Sequence, residues 1–170
     1  MATQASSDCL KTRVLFVTGS LYDHASGPYT ALKSTVSALV EAGTTVQVLG
    51  SKDRPDQLDQ TPGWASKSVY ALPKVGPYSL HYTPEISNHL KRMQFDLGHF
   101  QSVWLWNCAA AARYCFRNQI PYMITLHGNL NPAALRMSKL KKWIARQCFV
   151  EEYLQNATCL HALNEQEYRA

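Results

Sequence analysis

Short apolar runs recur along the chain, and between them apolar residues return every three or four positions. Runs at 13–18 (RVLFVT), 44–50 (TTVQVLG), 68–72 (SVYAL), 95–100 (FDLGHF), 121–126 and 157–163 (ATCLHAL) have strand length and strand composition. The first of them, continuous rather than alternating, suits a strand buried on both faces. Leu32, Val36, Leu39 and Val40 repeat at helical spacing behind Gly27-Pro28. Pro28 fits the first helical position, where its missing N–H costs nothing, and Gly43 is the natural stop. Helices are also predicted over 85–93 and 107–118, and from Pro132, capped by Asn131, to about 150. Asn164 with Glu167 forms a capping box for a last helix beginning at "NEQEYRA". Residues 51–67 and the stretch through Pro84 read as surface loops, and 1–12 as a disordered lead-in.

The segment 13–50 has the size of a βαβ crossover, which must be parallel and right-handed. Strands and helices alternate without internal repeats. The expected fold is a Rossmann-like three-layer α/β domain with a parallel sheet, occupying 13–170.

Composition narrows the classes. At 170 residues and 46% hydrophobic, the chain can build one full core. No run reaches the ~18–20 apolar residues of a membrane span. "MATQASSDCLKT" lacks the apolar stretch of a secretory signal, so a cytoplasmic protein is expected. Five cysteines without a C-x-x-C pair read as reduced thiols, with Cys108 and Cys115 on one helix face in the core. Neither they nor the six histidines show metal-ligand spacing, and no metal or cofactor is expected. A formal charge of +5 suits an anionic small molecule, a membrane surface or nucleic acid equally.

The candidate chemistry sits in loops after strands. "ITLHGNLNP" ends an apolar run on His127-Gly128, at the carboxyl edge where open α/β sheets bind ligands; the alternative is a turn histidine without a role. The first loop has no G-x-G-x-x-G, because Gly19 and Gly27 are eight apart. Ser26-Gly27-Pro28 still offers backbone N–H groups and a positive dipole end to an anion, or else is a plain helix cap. His99 reads as a core histidine, and Trp104 and Trp106 as packing residues. In "LRMSKLKKWIARQC", Met137, Leu140, Ile144 and Cys148 share one helical face while Arg136, Lys139, Lys142 and Arg146 lie toward the other. The solvated outer face of a sheet-covering helix is preferred here to a lipid-binding surface.

Four segments, in order, resemble the N-terminal domain of glycosyltransferase family 4 enzymes, the retaining group built from two Rossmann-like halves of a GT-B fold. They are "VLFVTGSLYDHASGPYTALKSTVSALVEAGTTVQVL", "FDLGHFQSVW", "PYMITLHGNLNPAALR" and "ATCLHALNEQEYRA". The segment around Gly128 and Arg136 is most similar to enzymes assembling bacterial surface polysaccharides. The resemblance implies a nucleotide-sugar donor and a glycan or lipid-linked acceptor, with peripheral contact at the inner membrane face and no nucleic acid. By it, His127 is the catalytic residue, bonding a donor-sugar hydroxyl, and Ser26, Gly27 and Gly128 lie at the donor. His24, Tyr29, Gln101, Asn129 and Arg136 face the acceptor. One departure is Ser26, which stands where many members carry a second glycine.

In such enzymes the donor is held mainly by a second domain, through two glutamates with seven residues between them. No two of Glu41, Glu85, Glu151, Glu152, Glu165 and Glu167 are eight apart. The resemblance therefore implies an acceptor-side domain, inactive alone, whose donor-binding half is a missing C-terminal domain or a partner subunit. The alternative is a non-catalytic α/β module that binds carbohydrate or nucleotide alongside a partner.

Overall fold

The computed structural model describes residues 12–21, 27–52 and 68–169. Six parallel strands form one sheet: β1 (Arg13–Ser20), β2 (Thr45–Lys52), β3 (Ser68–Pro73), β4 (Leu97–Phe100), β5 (Tyr122–Thr125) and β6 (Cys159–His161). Their order is β3-β2-β1-β4-β5-β6. From β1 the chain winds outward one way to β3, then returns beside β1 and winds the other way. The reversal between β1 and β4 is the crevice where doubly wound sheets take ligands. All six predicted strands are present, β6 being shorter than the apolar run that signalled it.

Side-chain alternation divides the core. Val14 and Phe16 of β1, with Val46 and Val48 of β2, pack under Leu32 and Val36 of α1 (Gly27–Glu41). Leu15, Val17 and Phe100 point to the other face, beneath α2 (Ile86–Leu90) and α3 (Trp106–Arg117). Cys108 and Cys115 are fully buried there, as their seven-residue spacing implies, and burial pushes both thiols up to about 12. Gly43 ends α1 at φ +85°, with Thr44 N–H on Leu39 O and Gly43 N–H on Val40 O, a Schellman stop.

The long helix expected over 132–150 is corrected. It is cut into α4 (Pro132–Arg136) and α5 (Lys139–Ala145), which runs through one π turn (Arg146–Val150) into α6 (Glu151–Gln155). Met137 is extended and Ser138 left-handed at φ 52°, and Lys142 of α5 reaches back to cap the Ala134 carbonyl. The π turn shifts the helical phase by one residue. Phe149, Val150 and Tyr153 thereby reach the core, whereas the predicted stripe of Met137, Leu140, Ile144 and Cys148 is left outside.

Candidate functional site

The carboxyl ends of β1, β4 and β5 lie side by side at the reversal point, and the segments after β4 and β5 meet there through Gln101 and His127. After β1 the chain enters α1 at Gly27; Ser26 and His24 lie outside the described residues. Gly27 is exposed, its φ is not positive, and a Cβ built on it meets nothing within 4 Å. No packing within the described chain requires a glycine there.

After β5, His127 (φ 49°) and Gly128 (φ 75°) are both left-handed. Two such residues in succession turn the chain sharply off the sheet. His127 is half-buried, and its Nε2 bonds Gln101 Oε1 at 2.8 Å. Gln101, 6% exposed, directly follows β4 and is fixed by its own N–H on the Val17 carbonyl at 2.9 Å. Because the amide oxygen can only accept, His127 carries its proton on Nε2 and keeps Nδ1 as an acceptor. Desolvation holds the His127 imidazole below its ordinary value, with Glu167 opposing the shift and His161 adding to it.

Glu167 is the tie that sequence reasoning assigned to the wrong partner. Asn164 does cap α7 (Glu165–Tyr168), accepting from Glu167 N–H at 2.9 Å. The Glu167 carboxylate, expected to close the box locally, accepts from Leu163 N–H at 2.8 Å and from Gly128 N–H. It is 3% exposed and stitches α7 to the His127 turn. Asn129 is turned inward: its side chain donates to Leu126 O, and its carbonyl accepts from Trp104 Nε1 at 3.1 Å. Trp106 packs edge-on against Phe149, as expected of a packing residue.

Tyr29, in the first turn of α1, is buried at 5% exposure. Arg136 ends α4 in solvent. His99 packs against Phe16 with ring centroids 4.6 Å apart and planes tilted by 38°, in keeping with a core histidine. Its Nε2 also bonds Thr125 Oγ1 at 2.7 Å, and the same oxygen lies 3.2 Å from His161 Nδ1. Burial, then the neighbouring His161 and His127, lowers the His99 imidazole to about 4. His81 is a further residue of this edge that the sequence did not signal. It is left-handed at φ 50°, bonds Ser51 Oγ through Nδ1 at 2.7 Å, and lies against Gly19, where an added Cβ would stand 3.3 Å from its ring. It stands outside any periodic segment, so no pattern marked it.

Among the described residues no group of three or more His, Cys, Asp or Glu could hold a metal, and no helix is long and apolar enough to cross a membrane. The fold is similar to that of UDP-GlcNAc 2-epimerase from Methanocaldococcus jannaschii, with a TM-score of 0.57 at 13% identity over 93% of the chain. The chain spans 41% of that enzyme's length. Homoserine dehydrogenase from S. aureus aligns at a TM-score of 0.41 and 8% identity, over 89% of this chain and 33% of its own. No curated protein matches the sequence. Residues 26–170 match the glycosyl transferase 4-like domain, and the chain belongs to that family.

Proposed function

We propose that the chain is the acceptor-side half of a retaining glycosyltransferase that moves a sugar from a nucleotide diphosphate to a glycan or lipid-linked acceptor. The observation that supports this reading is that α1, beginning at Gly27, and the His127-Gly128 turn follow β1 and β5, two strands that flank β4 in one parallel sheet and end at the same edge. In such a transfer the bond from the sugar to the diphosphate breaks, and negative charge collects on the departing group. The first N–H groups of a 15-residue helix and its dipole are suited to that charge. His127, protonated on Nε2 and held by Gln101, keeps Nδ1 to accept from a sugar hydroxyl. No side chain here is an evident nucleophile, so catalysis is positioning and electrostatic stabilisation.

The reading assigns most of the donor contact to a second domain, in the same polypeptide or on a partner, in a cytoplasmic enzyme of polysaccharide assembly. One side of a cleft leaves a ligand mostly in water, where each N–H contributes little. Calorimetric titration of the purified chain with nucleotide sugars, beside a transfer assay, tests this. Weak binding and no transfer are expected, with transfer appearing when a donor-binding domain is joined to the chain. Micromolar binding that never yields transfer, even in the joined protein, would favour the non-catalytic module.

A further inference from the structure

His161 ends β6 beside the His127 turn, and hydrogen bonds lock the two segments together. Leu126 N–H donates to the His161 carbonyl at 3.1 Å, while Gly128 and Leu163 N–H both donate to the Glu167 carboxylate. The His161 ring is anchored as well, its Nδ1 lying 3.2 Å from Thr125 Oγ1 on the neighbouring strand. That anchor turns Nε2, at the far side of the imidazole, away from Thr125. The residue is exposed, and with Leu163 and Tyr168 it lines a hollow of about 500 Å³, room enough for a sugar ring.

Charge and proton placement define the ligand. Among the described residues the charged groups of these segments are the Glu167 carboxylate and the exposed Glu165–Arg169 pair, which leave no spare cation for a phosphate. Burial keeps His99 neutral at the other end of the Thr125 hydroxyl, its imidazole lowered to about 4. His127 offers a lone pair at Nδ1, which accepts from a hydroxyl and repels an anionic oxygen. A neutral polyhydroxyl group therefore suits this end of the edge better than a phosphate. The Thr125 hydroxyl has one proton for two rings, so His161 Nε2 donates in one arrangement and accepts in the other. We propose that His161 is a second sugar-binding residue, its Nε2 bonding one hydroxyl of the donor sugar while His127 Nδ1 accepts from another. The proposal rests on the reading of this edge as the donor-sugar site and adds a contact to it.

Imidazole nitrogen shifts test it on the purified chain, titrated to millimolar UDP-glucose, UDP-galactose or GDP-mannose, and to UDP or GDP alone. The His161 nitrogens are expected to move with at least one nucleotide sugar and to ignore the bare diphosphates. In the chain joined to a donor-binding domain, His161→Ala should raise the KM for that donor roughly 2- to 10-fold, the effect of one hydrogen bond, with a smaller change in kcat. His161→Gln, whose amide both donates and accepts, should restore most of the affinity. Both variants should keep the melting temperature, because the residue is exposed. The shift measurement uses the unaltered chain and stays decisive should a variant fail to fold. Silence at His161, with or without a response at His127, would overturn the proposal. So would equal shifts with UDP or GDP alone, which would mark a phosphate contact, or an unchanged KM in His161→Ala. A sugar-specific response at His161 beside a joined protein that transfers no sugar would uphold the binding role and overturn the transferase reading alone.

Discussion

Gln101 and His127 sit 26 residues apart in sequence, after neighbouring strands, and share one hydrogen bond of 2.8 Å from ring Nε2 to amide Oε1. A buried glutamine thereby selects the tautomer of a half-buried histidine. In an enzyme containing this domain, Gln101→Leu is expected to slow transfer about tenfold, because the free Nε2–H then competes for the hydroxyl partners of the ring. Removing the ring altogether, His127→Ala, forfeits a hydrogen bond near developing charge, worth roughly 1.5–3 kcal/mol, or about 10- to 100-fold in turnover. Imidazole nitrogen shifts should report the Nε2–H form in the native chain and a tautomer mixture in Gln101→Leu. Unaltered turnover in His127→Ala, with a sharply lower melting temperature, would make the histidine purely structural.

Glu167 holds the same turn from the opposite side. Replacing it by alanine leaves the Gly128 and Leu163 N–H groups without their carboxylate partner. Both bonds are part-buried, so the two orphaned donors sit at the low end of the roughly 1–3 kcal/mol each that such groups cost, about 2 kcal/mol together. A fall in melting temperature of about 4–8 °C is expected, at roughly 2–4 °C per kcal/mol for a domain of this size. Amide exchange at Gly128 should accelerate together with exchange in α7. Faster exchange in α7 alone would mean that the carboxylate supports the cap and nothing across the sheet edge.

The glycines separate structural from chemical demands. Gly128 is left-handed at φ +75°, so Gly128→Ala should destabilise by roughly 1–2 kcal/mol. Gly27 has neither a positive φ nor a neighbour within 4 Å of an added Cβ. Gly27→Ala should therefore leave the melting temperature unchanged or slightly raised, while weakening donor binding in a complete enzyme if backbone approaches diphosphate there. Denaturation curves beside donor affinities of the two variants check the contrast. Equal donor affinity in wild type and Gly27→Ala would remove Gly27 from the site.

Much of this architecture is legible in periodicity, because each buried strand and each amphipathic helix must carry its own apolar pattern. The strand β1, the stop at Gly43 and the caps at Asn131 and Asn164 follow from local chemistry that nothing distant overrides. The break at Met137-Ser138 does not, because it depends on a tertiary contact: Lys142 capping Ala134 and the core claiming Phe149 and Tyr153. An intact helix pattern therefore predicted the wrong buried face. The edge position of His127 follows from its place after an apolar run. Its partner Gln101 and the remote tie from Glu167 are long-range pairings that one sequence cannot register. Tyr29 is assigned to the acceptor by resemblance alone, and its depth in the fold, 5% exposed, is a tertiary property that one sequence does not register.

The row His99–Thr125–His161 gives a pH dependence whose sign can be worked out. One hydroxyl serves both rings, 2.7 Å from His99 Nε2 and 3.2 Å from His161 Nδ1. Its single proton lets it donate to one nitrogen while accepting from the other. Protonating both rings would turn both nitrogens into donors and strand the hydroxyl proton, with His127 adding a further nearby cation. Phe16, packed against His99, offers no solvation. The His99 imidazole is accordingly lowered from its ordinary value to about 4, chiefly by burial. The unfolded chain therefore binds more protons than the folded one across that interval. The contribution of His99 to stability is complete above about pH 6.5 and declines as the pH falls toward 4. Urea denaturation at several pH values should show this slope, and His99→Gln should flatten it while lowering stability at neutral pH. His127 is shifted the same way, so some slope will persist in the variant. An identical slope in wild type and His99→Gln would show that His99 takes up its proton at the same pH in the folded and unfolded chain, and that the hydroxyl row does not tune it.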